Sequence, residues 1–353
     1  MMSRRDEEIC SVASLCLLFS MAEYLIPKPL PFCKLGLANL PLLLILSRWD
    51  WGGYLLVVTL KLLGSLLVGG TLFSPIALIT ASGGIASALA MKGLDSLCKE
   101  RISFVGISVM GALASNLVQL ASASLLVYGT SIWAVAPLLC SIGLASGIIL
   151  GFLAMACEKQ GLVPAEVPLP LLARKESHPV AFSLLALAIL CLCFEPRPFR
   201  LLLVWMLLLV AQKGAGRRIH LTYPLVLLFS LLLLSLFEPV GKILWSWGPF
   251  TLASLSLVTA LRKGLRLICM VTASQSMVGL MPHIPGRFFR LLSETLAALG
   301  TYQLPRKGQK PMEVVRNLFS GTRQEASVPR KAHPFLISVM CILAIALCIR
   351  DLL

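Results

Sequence analysis

Ser108, Ala112, Ser115, Asn116, Gln119 and Ser122 recur at steps of three and four, with Ser115 and Asn116 adjacent, inside an otherwise apolar stretch. On a helix they make one small, polar face. The Asn116 and Gln119 amides both donate and accept hydrogen bonds, which suits a planar, heteroatom-rich solute better than a bare ion. Elsewhere Glu23, Asn39 and Lys61 set a carboxylate, an amide and an ammonium among apolar neighbours. A charge at bilayer depth costs about 2.5–3.5 kcal/mol even on lenient scales, so such residues pair, line a cavity or reach the interface. Ser82-Gly83-Gly84 thins another apolar stretch, with Pro75 a turn or two before it. Interruptions of this kind line sites in transporters. The competing role for all of these residues is packing, because amides and hydroxyls also hydrogen-bond between helices. Gly143, Gly147 and Gly151 form two successive G-x-x-x-G steps and read as a helix interface.

Several chemistries lack their residues. No G-x-x-x-x-G-K-[ST] phosphate loop occurs, since Gly241-Lys242 is followed by Ile243 with no glycine-rich run before it. The four aspartates (Asp6, Asp50, Asp95, Asp351) stand apart, so an aspartate-rich magnesium site for diphosphate chemistry cannot be assembled from them. The four histidines do not cluster, and Cys191 and Cys193 lack the partner pair of a zinc site. The remaining cysteines lie mostly in apolar runs and read as small hydrophobes. The expectation is a protein without catalytic residues, metal or cofactor: not an enzyme.

Helices must position these groups. Of 353 residues 58% are hydrophobic and 13% charged, with mean hydropathy +0.88, against about 25% charged in soluble domains. The apolar runs are continuous rather than alternating, which favours helices over a barrel. An all-α integral membrane protein is predicted, with a six-helix N-terminal bundle over 1–157 and spans near 9–26, 35–46, 53–68, 72–90, 102–127 and 133–155. The first is read as a retained transmembrane helix rather than a signal peptide, and the second is short enough to be tilted or re-entrant. Residues 158–178, with Pro164, Pro168 and Pro170, read as a cytoplasmic linker. A second bundle of about five or six helices is expected over 179–353. It has spans near 179–194, 201–211 and 225–237, a hairpin of 245–261 and 265–281, a basic cytoplasmic segment over 286–333, and a last span over 334–349. Arg4, Arg5, Arg48, Lys92, Lys99, Arg101, Lys159, Arg174 and Lys175 fall on one side of the first six spans, and only the first loop on the other side, with Lys28 and Lys34, breaks the pattern. The asymmetry places the N terminus in the cytoplasm and the chain in the cytoplasmic membrane. The net charge of +15 is read as this loop bias and not as a nucleic-acid surface.

Glu23, Ile26-Pro27, Lys34-Leu35-Gly36-Leu37-Ala38-Asn39, Lys61, Gly70-Thr71-Leu72-Phe73-Ser74, Ser82-Gly83-Gly84 and the 108–119 face occur in an order that resembles the Gx transporter family, also labelled heptaprenyl diphosphate synthase component I. The resemblance covers about residues 10–157. Lys61 stands where that family usually has arginine, and Ser115 where it usually has histidine. The family looks like the substrate-capture components of energy-coupling-factor transporters, and 261–279 is similar to their transmembrane component. The resemblance implies a transport component that binds a small vitamin-, flavin- or quinone-like solute through Glu23, Lys34, Asn39, Lys61, Ser82, Asn116 and Gln119. ABC ATPase subunits in trans would energise it, although 286–333 holds no Ala-Arg-Gly docking triplet. The synthase label implies the alternative, a noncatalytic membrane subunit of polyprenyl diphosphate or quinone biosynthesis. By resemblance, flavin-binding redox proteins are further candidate partners.

Overall fold

The computed structural model describes residues 3–24, 36–98, 101–161, 178–193, 197–215, 222–237, 240–247, 250–278, 286–299 and 333–349. Among the described residues the fold is all-α apart from one β-hairpin. In the N-terminal part the helices are α1 (Arg4–Tyr24), α2 (Leu40–Ile45), α3 (Trp51–Gly69), α4 (Pro75–Cys98), α5 (Phe104–Ala123) and α6 (Ala136–Lys159). Capping sets several ends. Asp50 accepts from Gly53 N at 3.4 Å to start α3, and Ser103 accepts from Gly106 N at 3.4 Å to start α5. Gly70, at φ 66°, closes α3 in the left-handed region. The stretch expected to be tilted or re-entrant is a 3-10 turn (Leu37–Asn39) leading into the short α2. A π turn (Ser124–Tyr128) and a 3-10 turn (Gly129–Val135) join α5 to α6.

The C-terminal part contains α7 (Pro179–Leu192), α8 (Pro198–Gly214), α9 (Thr222–Leu234), α10 (Ser254–Val278), α11 (Arg287–Leu299) and α12 (Pro334–Ile349). Here one expectation is corrected. The two spans predicted at 245–261 and 265–281 are not a helical hairpin. Residues Ile243–Trp247 and Phe250–Ala253 form an antiparallel β-hairpin, with Trp247 opposite Phe250, and α10 runs unbroken for 25 residues. Arginine, lysine and leucine are good helix formers, and a single glycine, Gly264, costs only about 1 kcal/mol, too little to make a turn. Gly264 lets Leu228 of α9 approach instead.

Among the described residues, three helical stretches are long and apolar enough to cross a bilayer: Trp51–Gly69, Pro75–Cys98, and Phe104–Lys159, which contains α5 and α6. The chain is a membrane protein. One core joins α1 to α6 and also takes in Leu291 and Leu292 of α11. A second joins α7, α8, α10 and α12, with Phe73 packed against it. A third links the start of α4 and the end of α5 to α9 and α10. The C-terminal part therefore grips the N-terminal helices at both ends of α3, about 28 Å apart by helix rise. At one end Phe73 N donates to Ser274 Oγ at 3.0 Å, and the Phe73 ring stands edge-on to Phe182 at 5.8 Å. At the other, Arg287 of α11 donates to Asp6 of α1 at 2.6 Å.

Candidate functional site

Gly36, at φ 86°, turns the chain into the 3-10 segment that ends at Asn39. That segment is held from two sides. Glu23 Oε1 accepts from Ala38 N at 3.4 Å, and Lys61 Nζ donates to Asn39 Oδ1. Asn39 Nδ2 in turn lies 3.5 Å from Ser87 Oγ on α4. On α5, Asn116 Nδ2 donates to Leu139 O at 2.7 Å, tying α5 to α6. Gln119 Nε2 donates to Ser115 Oγ at 3.1 Å, within its own helix. Two glycines make room for these amides: a Cβ at Gly83 would run into Gln119, and one at Gly143 into Asn116.

The result is an enclosed polar space of about 50 Å³. Glu23, Asn39, Lys61, Asn116 and Gln119 all border it. Ser82 does not; its hydroxyl lies 2.9 Å from Ser122 Oγ on the neighbouring helix. Lys34 lies outside the described residues. Gly147 and Gly151 face α5, where an added Cβ at Gly147 would stand 2.9 Å from Val109 Cα and one at Gly151 would strike Val105. Gly84, from the Ser82-Gly83-Gly84 interruption, lines the space, as do Thr80 and Ser87, which were not singled out from the sequence. The spacing of these three, by four and three, was the available signal, one helical phase away from Ser82.

The arrangement has unspent capacity. Lys61 is 9% exposed and its ammonium has one amide oxygen as its bonding partner, with no carboxylate of a described residue within 4.0 Å. Ser108, 2% exposed, borders the space with its hydroxyl unpaired. The Asn116 and Gln119 nitrogens each commit one of their two N–H groups to the protein, and their oxygens remain to accept. The space thus offers donors near Lys61 and Ser108 and acceptors along α5. It holds a few waters or one polar end of a ligand, well short of the roughly 300–1,000 Å³ of a complete small-molecule pocket.

Lys92 shows the opposite use of a buried cation. It donates to Trp49 O at 3.0 Å and to Leu46 O, meets Asp95 at 3.5 Å and lies 5.8 Å from the Tyr54 ring centroid. These bonds satisfy the orphan carbonyls after α2, so its role is structural. At the end of the bundle near Arg5, the Arg287 hydrogen bond holds the Asp6 carboxyl below its usual range, against the opposing effect of burial.

These features define a helical membrane protein with an enclosed polar site among its N-terminal helices. In the comparison with protein families, residues 12–157 match heptaprenyl diphosphate synthase component I, the family resembled by the Lys34–Asn39 and Gly70–Ser74 blocks. No curated protein and no solved structure matches the chain.

Proposed function

We propose that the chain is a noncatalytic membrane subunit that works with a soluble polyprenyl diphosphate synthase, in the service of quinone-type products. The match of residues 12–157 to a family described as component I of such a synthase carries this reading. The aspartate content supports it: with four separated aspartates, the magnesium-diphosphate chemistry has to come from a partner. The test is co-purification of the detergent-solubilised chain with a prenyl diphosphate synthase from the same cell, followed by analysis of product chain length with and without the chain. A synthase that neither binds the chain nor changes its product in its presence overturns the reading.

The unspent donors and acceptors around Lys61 and Ser108 favour a second reading, in which the N-terminal helices capture a small organic solute and partners in trans energise its transport. Mass spectrometry of small molecules retained by the purified protein separates the two. On either reading the chain sits in the cytoplasmic membrane with its N terminus and the 158–178 segment inside, from the lysine and arginine bias of its loops. A cysteine introduced at Ala165, in a background without exposed thiols, should resist membrane-impermeant reagents in intact cells. Ready labelling there reverses the topology.

A further inference from the structure

A second opening lies where the two halves of the chain meet. We propose that it binds an amphiphile with a phosphate head, the head held at Lys263. The cavity is about 260 Å³, several times the space around Lys61. Val127, Leu231, Leu234 and Leu255 give it apolar walls, while Ser131, Thr259 and Lys263 bring polar atoms to the same space. On α10 the residues Ser256, Thr259 and Lys263 stand three and four apart and share one helical face. Ser256 is spent on structure, accepting from Val240 N at 2.7 Å. Opposite this face, the π turn Ser124–Tyr128 interrupts the α-helical register as the chain reaches the cavity. Such turns frequently accompany functional sites.

Charge names the ligand class. Arg262, Lys263 and Arg266 fall within five residues near the middle of a 25-residue helix, and of these Lys263 borders the cavity. No carboxylate of a described residue lies within 4.0 Å of Arg262 or Lys263. Cations grouped in the middle of a helix, within an apolar chain, call for a counter-anion or water. A phosphate oxygen takes charge-assisted hydrogen bonds from an ammonium and neutral ones from hydroxyls, and the apolar walls fit the start of a hydrocarbon tail. Both a bilayer phospholipid and a prenyl diphosphate have this chemistry. The site goes beyond the assembly proposed above, because it requires no protein partner.

The experiment titrates the delipidated full chain in detergent with farnesyl diphosphate, dioleoylphosphatidylglycerol and inorganic pyrophosphate, read by native mass spectrometry. At least one of the two amphiphiles should bind, and Lys263→Ala should weaken it about tenfold, the loss of one charge-assisted hydrogen bond. Lys263→Arg should retain most of the affinity, and Lys213→Ala, on α8, all of it. Preference for farnesyl diphosphate supports an isoprenoid ligand, and preference for the phospholipid supports a bilayer lipid. Pyrophosphate binding as well as farnesyl diphosphate overturns the amphiphile, and equal binding by the folded Lys263→Ala protein overturns the site. Lys263 is exposed, so its variants should fold, and Thr259→Val provides a second probe of the same face. A chain that binds neither amphiphile yet co-purifies with a synthase loses this site and keeps the assembly.

Discussion

In the N-terminal helices polar side chains converge on one enclosed space, whereas two polar pairs of the C-terminal helices bond across helix contacts. Around α10, Trp205 Nε1 donates to Thr272 Oγ1 at 3.2 Å and Gln212 Nε2 to Gln275 Oε1 at 2.7 Å. Each of these bonds uses a donor and an acceptor from facing helices, as expected of packing between membrane helices. Around Lys61 the count does not close, since Ser108 is buried without a partner and the α5 amide oxygens stay open. A buried polar group left unsatisfied costs about 1–3 kcal/mol. The N-terminal arrangement therefore makes sense where something else fills the space. The contrast separates glue from site within one molecule, and α11 complicates it, since this C-terminal helix belongs to the N-terminal core.

The largest expected effect tests that last point. Leu291 is 1% exposed and packs in the core of α1 and α3. Leu291→Ala should destabilise the protein by about 2–5 kcal/mol, seen as a lower melting temperature in detergent, while Ser293→Ala on the same helix should do little. Equal melting of the two variants would mean that α11 is a separate appendage and that the halves have independent cores.

A smaller effect comes from the α5–α6 approach. Gly147→Val should cost about 1–3 kcal/mol by overpacking, because its Cβ alone would meet Val109 Cα at 2.9 Å. Gly147 also borders the polar space, so the variant should lose any retained solute. A folded Gly147→Val protein that keeps its solute would put the binding site elsewhere.

The two amides sharpen the comparison further. Asn116→Leu removes a bond between helices and crowds Gly143, whereas Gln119→Leu removes one within α5. The first should lower the melting temperature by the equivalent of about 1 kcal/mol or more, and the second by less. Under solute capture Gln119→Leu should instead lower ligand retention about three- to thirtyfold. Paired melting and retention measurements on the same preparations decide this. Unchanged retention in both variants leaves the amides as packing residues.

The smallest effect is the clasp of α11 on α1. The Asp6 carboxyl is held below its usual 3.8, mainly by the hydrogen bond from Arg287. Its contribution to stability is therefore full above that value and is lost as pH falls through the lowered one. Asp6→Asn should melt slightly below the parent protein at pH 7, and the gap should close as pH falls through the lowered value. A gap that persists at low pH would assign the effect to packing and not to charge.

Much of the site was visible in residue types, but less of its geometry. Glu23, Asn39, Lys61, Asn116 and Gln119 stood out as polar groups in apolar stretches, and all five border the same space. Ser82 stood out equally and faces Ser122, because one step along a helix rotates a side chain by about 100°. Thr80, Gly84 and Ser87 occupy the phase that meets the space. Lys92, read as a loop charge, is buried and closes the end of α2. Nothing local distinguishes it from Lys61, since the distinction lies in which carbonyls the neighbouring helix leaves open.

By itself the sequence determined the membrane class, most helix positions and the chemical inventory of the site. Apolar run length, capping residues and helical period are local properties, and the free energy of burying a helix in lipid is nearly additive along it. It went wrong at 245–281, where charge pointed to a loop but helix propensity prevailed. Only the tertiary structure decided that Lys61 reaches Asn39, that the α5 amide nitrogens bond to the protein while their oxygens stay open, and that α11 joins the N-terminal core. Those outcomes depend on how each helix is rotated against neighbours as far as 281 residues away in sequence. Side-chain packing summed over the whole bundle sets that rotation, and no single segment encodes it.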